Sequence, residues 1–200
     1  MLLLYAIPIG VLIGLAVGGR VGHLAASHIR LWPLALGGLI FQVVLFGPLA
    51  PVVGSLGPAL YVGSTLVVLG ALLANLRQPG FALILLGALL NLAAIVANGG
   101  QMPASAEAFI ALNGSATVPG DGFSNSVVAG AGAPLLFLGD VFVLPRPIPL
   151  ANVFSIGDLL IAVGGVMFVA RMMARPLTAA ESTPAALTAL PRGGQPLASR

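Results

Sequence analysis

Cysteine is missing from this 200-residue chain, and so is lysine, since all eight of its Lys+Arg positions are arginine. Without thiols there are no disulfides, thiolate nucleophiles, iron–sulfur clusters or thiolate zinc sites, and the redox compartment stays undetermined. Without lysine there is no Schiff-base or P-loop lysine chemistry. Charge of either sign is scarce: 6% of the residues are charged, where a soluble domain carries about 25%. Eight basic and five acidic groups leave a net charge of +3. The pI of 10.7 therefore rests on few groups rather than on a basic surface, which argues against a nucleic-acid partner. No cofactor is expected. What the chain does have is apolar sequence, 58% of its residues with a mean hydropathy of +1.10, and this points to a membrane protein.

Crossing a hydrocarbon core of about 30 Å takes about 20 mostly apolar residues. Five stretches qualify: Met1 to Gly18, Leu31 to Leu49, Pro58 to Leu76, Phe81 to Asn98, and Ser155 to about Arg171. The expected fold class is therefore an all-α integral membrane protein with five transmembrane helices. Gly47-Pro48 through Gly57-Pro58 breaks the second stretch from the third, and Arg77-Gln78-Pro79-Gly80 turns the third into the fourth. The first stretch has no basic residue ahead of it, which reads as a retained anchor rather than a signal peptide. Seven of the eight arginines fall on one side if the N-terminus lies outside and the C-terminus inside, with only Arg146 external. A transmembrane domain over 1–175 then carries a long external segment, 99–154. Residues 176–200, rich in Ala, Pro, Thr, Gly and Ser, read as a disordered cytoplasmic tail.

Gly10, Gly14 and Gly18 form two GxxxG steps, a face that admits a close helix partner from this chain or from another protomer or membrane protein. Gln42, Ser64, Thr65, Asn75 and Asn91 lie within spans, where interhelical hydrogen bonds account for them. His23 and His28 sit in the first cytoplasmic loop, where solvent or lipid headgroups suit them better than a metal. No metal site is expected.

The external segment carries the remaining signals. Asn98-Gly99-Gly100 suits a helix C-cap, Ala104 to Leu112 a short interfacial helix, and Pro119-Gly120-Asp121-Gly122 a polar turn. Val127 to Gly139 is apolar but only 13 residues long, so it reads as a re-entrant or interfacial piece. Pro145-Arg146-Pro147-Ile148-Pro149 is expected to form a stiff extended strap.

Asp140 and Asp158 are the acidic residues set in strongly apolar sequence at a membrane boundary, where an ionisable group is a functional-site hypothesis by default. Were the strap to fold back and bring them together, one carboxyl would hold a proton while the other stayed ionised, the pairing that acid–base hydrolysis needs. The same residues admit a structural account. Ser155-x-x-Asp158 is a capping-box pattern, and Asp140 has Arg146 six residues away as an ion-pair partner.

Leu90-Asn91, Asn98-Gly99-Gly100-x-Met102-Pro103, Leu138-Gly139-Asp140, Pro145-x-Pro147-x-Pro149-Leu150 and Phe154-Ser155-Ile156-Gly157-Asp158, with Gly18-Gly19-Arg20, resemble an uncharacterised family of bacterial multi-pass membrane proteins over nearly all of residues 1–172. That resemblance implies the topology and a bacterial inner-membrane location, and brings no activity with it. Over residues 83–169 the layout is also similar to the lipoprotein signal peptidases, which are membrane aspartyl proteases. Gly139-Asp140-Val141 resembles their first catalytic motif, and Phe154 to Gly164 their second, 18 residues further on. Ser155 stands where that family has Asn, and Ala94-Ile95 where it has Asp-Arg. The resemblance implies an aspartyl dyad of Asp140 and Asp158.

The combined expectation is an aspartyl-dyad hydrolase at the external face, acting on a membrane-embedded peptide or lipid-linked substrate. Asp140 and Asp158 are its catalytic residues. Arg146, Ser155, Asn91 and Asn98 support the substrate, Arg146 through its fork of donors. The competing expectation is a non-enzymatic membrane subunit or scaffold, docked to partner proteins through its glycine faces.

Overall fold

Each long apolar run becomes a helix, and the segment between the last two becomes something else. A computed structural model describes residues 2–25, 27–114, 123–130 and 132–174. The tail, Arg175 and the turn at 119–122 with Asp121 lie outside the described residues. Five apolar helices, α1 (Leu3–Ala16), α3 (Trp32–Phe46), α4 (Gly57–Leu73), α5 (Phe81–Ala97) and α7 (Ile156–Ala174), account for about half of the described residues, with α2 (Val21–Ala25) a single turn between the first two. Two stretches, Gly54–Leu73 and Ile156–Ala174, are long and apolar enough to cross a membrane, and the other three helices are apolar but shorter.

The helices pack side by side in alternating directions. Phe81 and Leu85 of α5 meet Leu69 and Leu72 of α4. Gln42 Nε2 of α3 donates to Ser64 Oγ at 3.1 Å and Thr65 Oγ1 at 3.2 Å of α4, the interhelical bonding expected of a polar group within an apolar run. Among the described helices α1 and α7 pack in parallel: Gly10 backs onto Val169 and Gly14 onto Met173. Two of the three GxxxG glycines therefore serve packing within this chain. Gly18, with φ +82° and open space around it, ends the helix instead.

The helix ends that carry Arg20, Arg30, Arg77 and Arg171 are stapled together by hydrogen bonds to backbone groups. Met173 O accepts from Arg20 N at 3.0 Å and from His23 Nδ1 at 2.9 Å, which satisfies an orphan carbonyl in the last turn of α7. Buried Asn75 clasps the backbone of Arg30 from both sides, its Oδ1 accepting from Arg30 N at 2.8 Å and its Nδ2 donating to Arg30 O at 2.7 Å. An Asn75→Ala substitution strips both groups of their partner, and a loss of about 2 kcal/mol of stability in detergent unfolding is expected.

The segment 99–154 is not helical throughout, and the described residues are mostly helical rather than all-α. After β1 (Met102–Ser105) come α6 (Ala106–Asn113), β2 (Ser126–Ala129), β3 (Phe142–Leu144) and β4 (Asn152–Phe154). The helix expected over 104–112 forms only from Ala106, because Ala104 and Ser105 belong to β1; Ser105 Oγ starts it by accepting from Ala108 N at 3.0 Å, and Gly114 in the left-handed region stops it. The β1 and β2 strands pair in parallel, Met102 opposite Ser126. The expected re-entrant piece is thus a short strand and a single 3-10 turn (Leu136–Leu138). Val127 and Val128 favour a pleated pairing, and Gly130, Gly132 and Pro134 stop any helix from propagating. The strap does not run on extended either. Ile148 N donates to Pro145 O at 3.1 Å and Ala151 N to Ile148 O at 3.2 Å, two successive turns that reverse the chain and pair β3 with β4 in antiparallel. Alternating prolines preset φ for such turns as well as for an extended run.

Candidate functional site

Asp140 is positioned by backbone rather than by side-chain bonds. Its N–H donates to Pro103 O at 2.9 Å and its carbonyl accepts from Ser105 N at 3.1 Å, so it forms a bridge on the free edge of β1, opposite β2. Gly139 lets this edge come close, because a Cβ there would overlap the Pro103 carbonyl. The side chain is 7% exposed. One carboxylate oxygen, Oδ2, accepts from Ser126 Oγ at 3.1 Å, across β1 from the bridge.

Asp158 arrives by the hairpin. β3 leaves Asp140, turns at 145–151 and returns as β4, with Phe142 opposite Phe154 and their rings stacked at 5.4 Å. The chain then enters α7 at a capping box. Ser155 Oγ accepts from Asp158 N at 3.0 Å, and Asp158 Oδ2 accepts from Ser155 N at 3.3 Å, as the Ser-x-x-Asp spacing requires. Asn91, on α5, completes the arrangement. Its Nδ2 donates to Asp158 Oδ1 at 2.9 Å, and its Oδ1 accepts from Ser155 Oγ at 2.8 Å. Asn91 fits there because Gly87 and Gly157 bring α5 and α7 into backbone contact.

The two carboxyls, from separate segments, come within range of each other's charge. Burial first, and then the charge on Asp158, push the Asp140 carboxyl up to about 7, against a smaller downward pull from the Ser126 hydroxyl. Tyr61 on α4 faces the same end of the fold. Its ring packs against the buried Ala94, Ile95 and Met102 and edge-on to Phe46 at 4.8 Å. Its phenol lies near enough to feel both carboxylates. Glu107, by contrast, belongs to the start of α6, where its own backbone amide and then the Ser105 hydroxyl hold its exposed carboxyl below the usual range.

Four of the six expected site residues come together, Asn91, Ser155 and Asp158 through hydrogen bonds and Asp140 through the reach of the Asp158 charge. Two do not. Arg146 is at the exposed hairpin tip, where its Nη2 reaches Asn113 Oδ1 at 3.5 Å rather than Asp140. Asn98 closes α5, its Nδ2 donating to Ala94 O at 2.8 Å and Pro134 O at 2.7 Å. Both were placed by proximity in the chain, which the hairpin and the C-terminal cap redirect. Tyr61 and Ser126 escaped the sequence reading. As one of only two tyrosines in the chain, Tyr61 offered a composition signal. Ser126 offered none, because only the parallel pairing brings it to Asp140.

The chain belongs to a family of unknown function (DUF5317), whose model matches residues 26–170. The match spans every residue of the carboxylate cluster and leaves α1 outside, and it agrees with the expected membership of an uncharacterised family. No curated protein and no solved structure matches the chain, so the likeness to lipoprotein signal peptidases has no match behind it.

Proposed function

We propose that this chain crosses the membrane five times, N-terminus outside and C-terminus inside, and that Asp140 and Asp158 form an acid–base pair at the external face. The topology reading rests on three observations. Neighbouring apolar helices alternate in direction and α1 runs parallel to α7, as the first and last of five crossings must. Large aliphatic side chains stand exposed along the helices, Leu12 at 66% and Val43 at 73% among them, where a water-facing helix would be polar. Arg20, Arg30, Arg77 and Arg171 share one end, while Glu107, Asp140 and Asp158 share the other.

The observation that carries the chemistry is the buried Asp140 carboxyl, raised to about 7 beside Asp158 while neither carboxylate pairs with an arginine or histidine among the described residues. In the proposed reaction Asp158 takes a proton from water as the oxygen adds to the scissile carbonyl. Asp140 gives its proton to the departing nitrogen or oxygen as that bond breaks, and exchange with solvent restores both groups. The substrate is a membrane-embedded peptide or a lipid-linked ester or amide.

Membranes from cells carrying the Asp140→Asn or Asp158→Asn variant should accumulate one and the same uncleaved species. Turnover is expected to fall by about 10²- to 10⁴-fold, and Asn98→Ala should behave as wild type. Peptide and lipid profiles identical across all three variants and wild type would remove the enzyme reading.

A second reading is favoured by one observation: both Asp158 oxygens are already engaged, by Asn91 and by the Ser155 amide. There the Asn91–Ser155–Asp158 cluster is a lock between α5 and α7 in a non-enzymatic membrane subunit. In that case Asp158→Asn lowers stability and partner capture together, and leaves the membrane profile unchanged.

A further inference from the structure

The tip of the β3–β4 hairpin reaches away from the carboxylates to α1, where the Tyr5 hydroxyl donates to the Pro149 carbonyl. Tyr5 lies near the start of α1, at the end opposite the arginines, and Leu4 and Ile7 beside it stand 53% and 54% exposed. The tip is thereby held at the height where the exposed apolar surface of the helices begins. It continues that surface, because Ile148 and Leu150 are also exposed, next to an exposed Arg146.

This composition is wrong for a turn in water, where Gly, Asn, Asp and Ser prevail. It suits the boundary between headgroups and acyl chains, which accepts aliphatic side chains to a depth of about 5–10 Å. The backbone suits it as well. Pro145, Pro147 and Pro149 carry no N–H to desolvate, and the amides of Ile148 and Ala151 are bonded within the tip. Among the described residues Arg146 has one long bond, to Asn113 Oδ1 at 3.5 Å, and its planar fork matches phosphate oxygens.

On the five-crossing reading, we propose that the hairpin tip is an interfacial anchor: Ile148 and Leu150 insert into the external leaflet while Arg146 engages phospholipid phosphates. One strand of this hairpin leaves Asp140 and the other leads to Asp158, so the anchor holds the carboxylate cluster at the leaflet boundary, where a lipid-embedded substrate would arrive.

The test uses single-tryptophan reporters in the full chain, with Trp32→Phe as background, reconstituted into phosphatidylcholine vesicles brominated either near the headgroup or deep in the acyl chain. Ile148→Trp and, as an independent reporter, Leu150→Trp should lose most of their emission to the shallow bromines and little to aqueous iodide. Leu66→Trp, midway along α4, should respond to the deep bromines. If the tip reporters are quenched by iodide and untouched by bromine while Leu66→Trp responds to lipid, the anchor is wrong and the five-crossing reading stands. If Leu66→Trp also escapes lipid quenching, the membrane reading fails and takes the anchor with it.

Discussion

At pH 8 the Asp140→Asn variant is expected to unfold at a higher temperature than the wild type, and at pH 4 the two should coincide. The sign follows from burial. The Asp140 carboxyl is raised from 3.8 to about 7 in the folded chain, so the fold binds a proton that the unfolded chain releases between those values. Stability is then full below about pH 4, falls as the pH rises through the folded value, and levels off above it. Three pH units correspond to about 4 kcal/mol at most. Asn keeps an acceptor for Ser126 Oγ and never charges, so its profile should be flat across the window. Melting curves in detergent between pH 4 and pH 8 check this directly, and a flat wild-type profile would mean that Asp140 is ionised in the fold at no cost. A chain that keeps such a carboxyl gives up stability at neutral pH, which is the pattern of a group retained for function.

A change of similar size but opposite sign should follow from a single methyl group at Gly157. A Cβ there would stand 2.6 Å from the Gly87 carbonyl oxygen and would overlap Asn91 Oδ1. Neither neighbour yields cheaply, since one is helix backbone and the other is held by Ser155 and Asp158. Seven residues along each helix the same contact recurs, with a Cβ at Gly164 standing 2.6 Å from the Gly80 carbonyl. Gly157→Ala should therefore cost about 3 kcal/mol, the upper range for overpacking, and release Asn91 from Asp158. Gly70→Ala is the matched control. Nothing lies within 4 Å of a Cβ at that position in α4, and Ala gains up to about 1 kcal/mol in helix propensity. Equal unfolding midpoints for the two variants would show that α5 and α7 do not touch here.

How far the fold was legible varies with the range of the forces involved. The run Phe81 to Asn98 matches α5 (Phe81–Ala97), and Leu31 to Leu49 contains α3 (Trp32–Phe46), because an uninterrupted apolar run bounded by Gly and Pro leaves a chain in lipid few choices besides helix. The capping box at Ser155 and Asp158 was equally plain, being a bond across three residues. The paired glycines Gly80, Gly87, Gly157 and Gly164 were not, since a seven-residue spacing on two separate helices signals contact only once the helices are known to be neighbours. The strands were also hidden. Three or four residues of β1, β3 or β4 show too short an alternation to stand out from turn sequence.

Composition and local pattern thus determined the apolar helices, the uneven division of arginine and carboxylate between their ends, and the start of α7. These depend on transfer free energy and on bonds within one turn of chain. The tertiary structure decided that Asp140 comes within range of the Asp158 charge, that Ser126 bonds to Asp140 and that Arg146 and Asn98 reach neither carboxylate. Each of those outcomes turns on a bridge to β1, a hairpin reversal or a backbone approach between helices. Partners of that kind are far apart in the chain, and their geometry exists only after the intervening segments have folded.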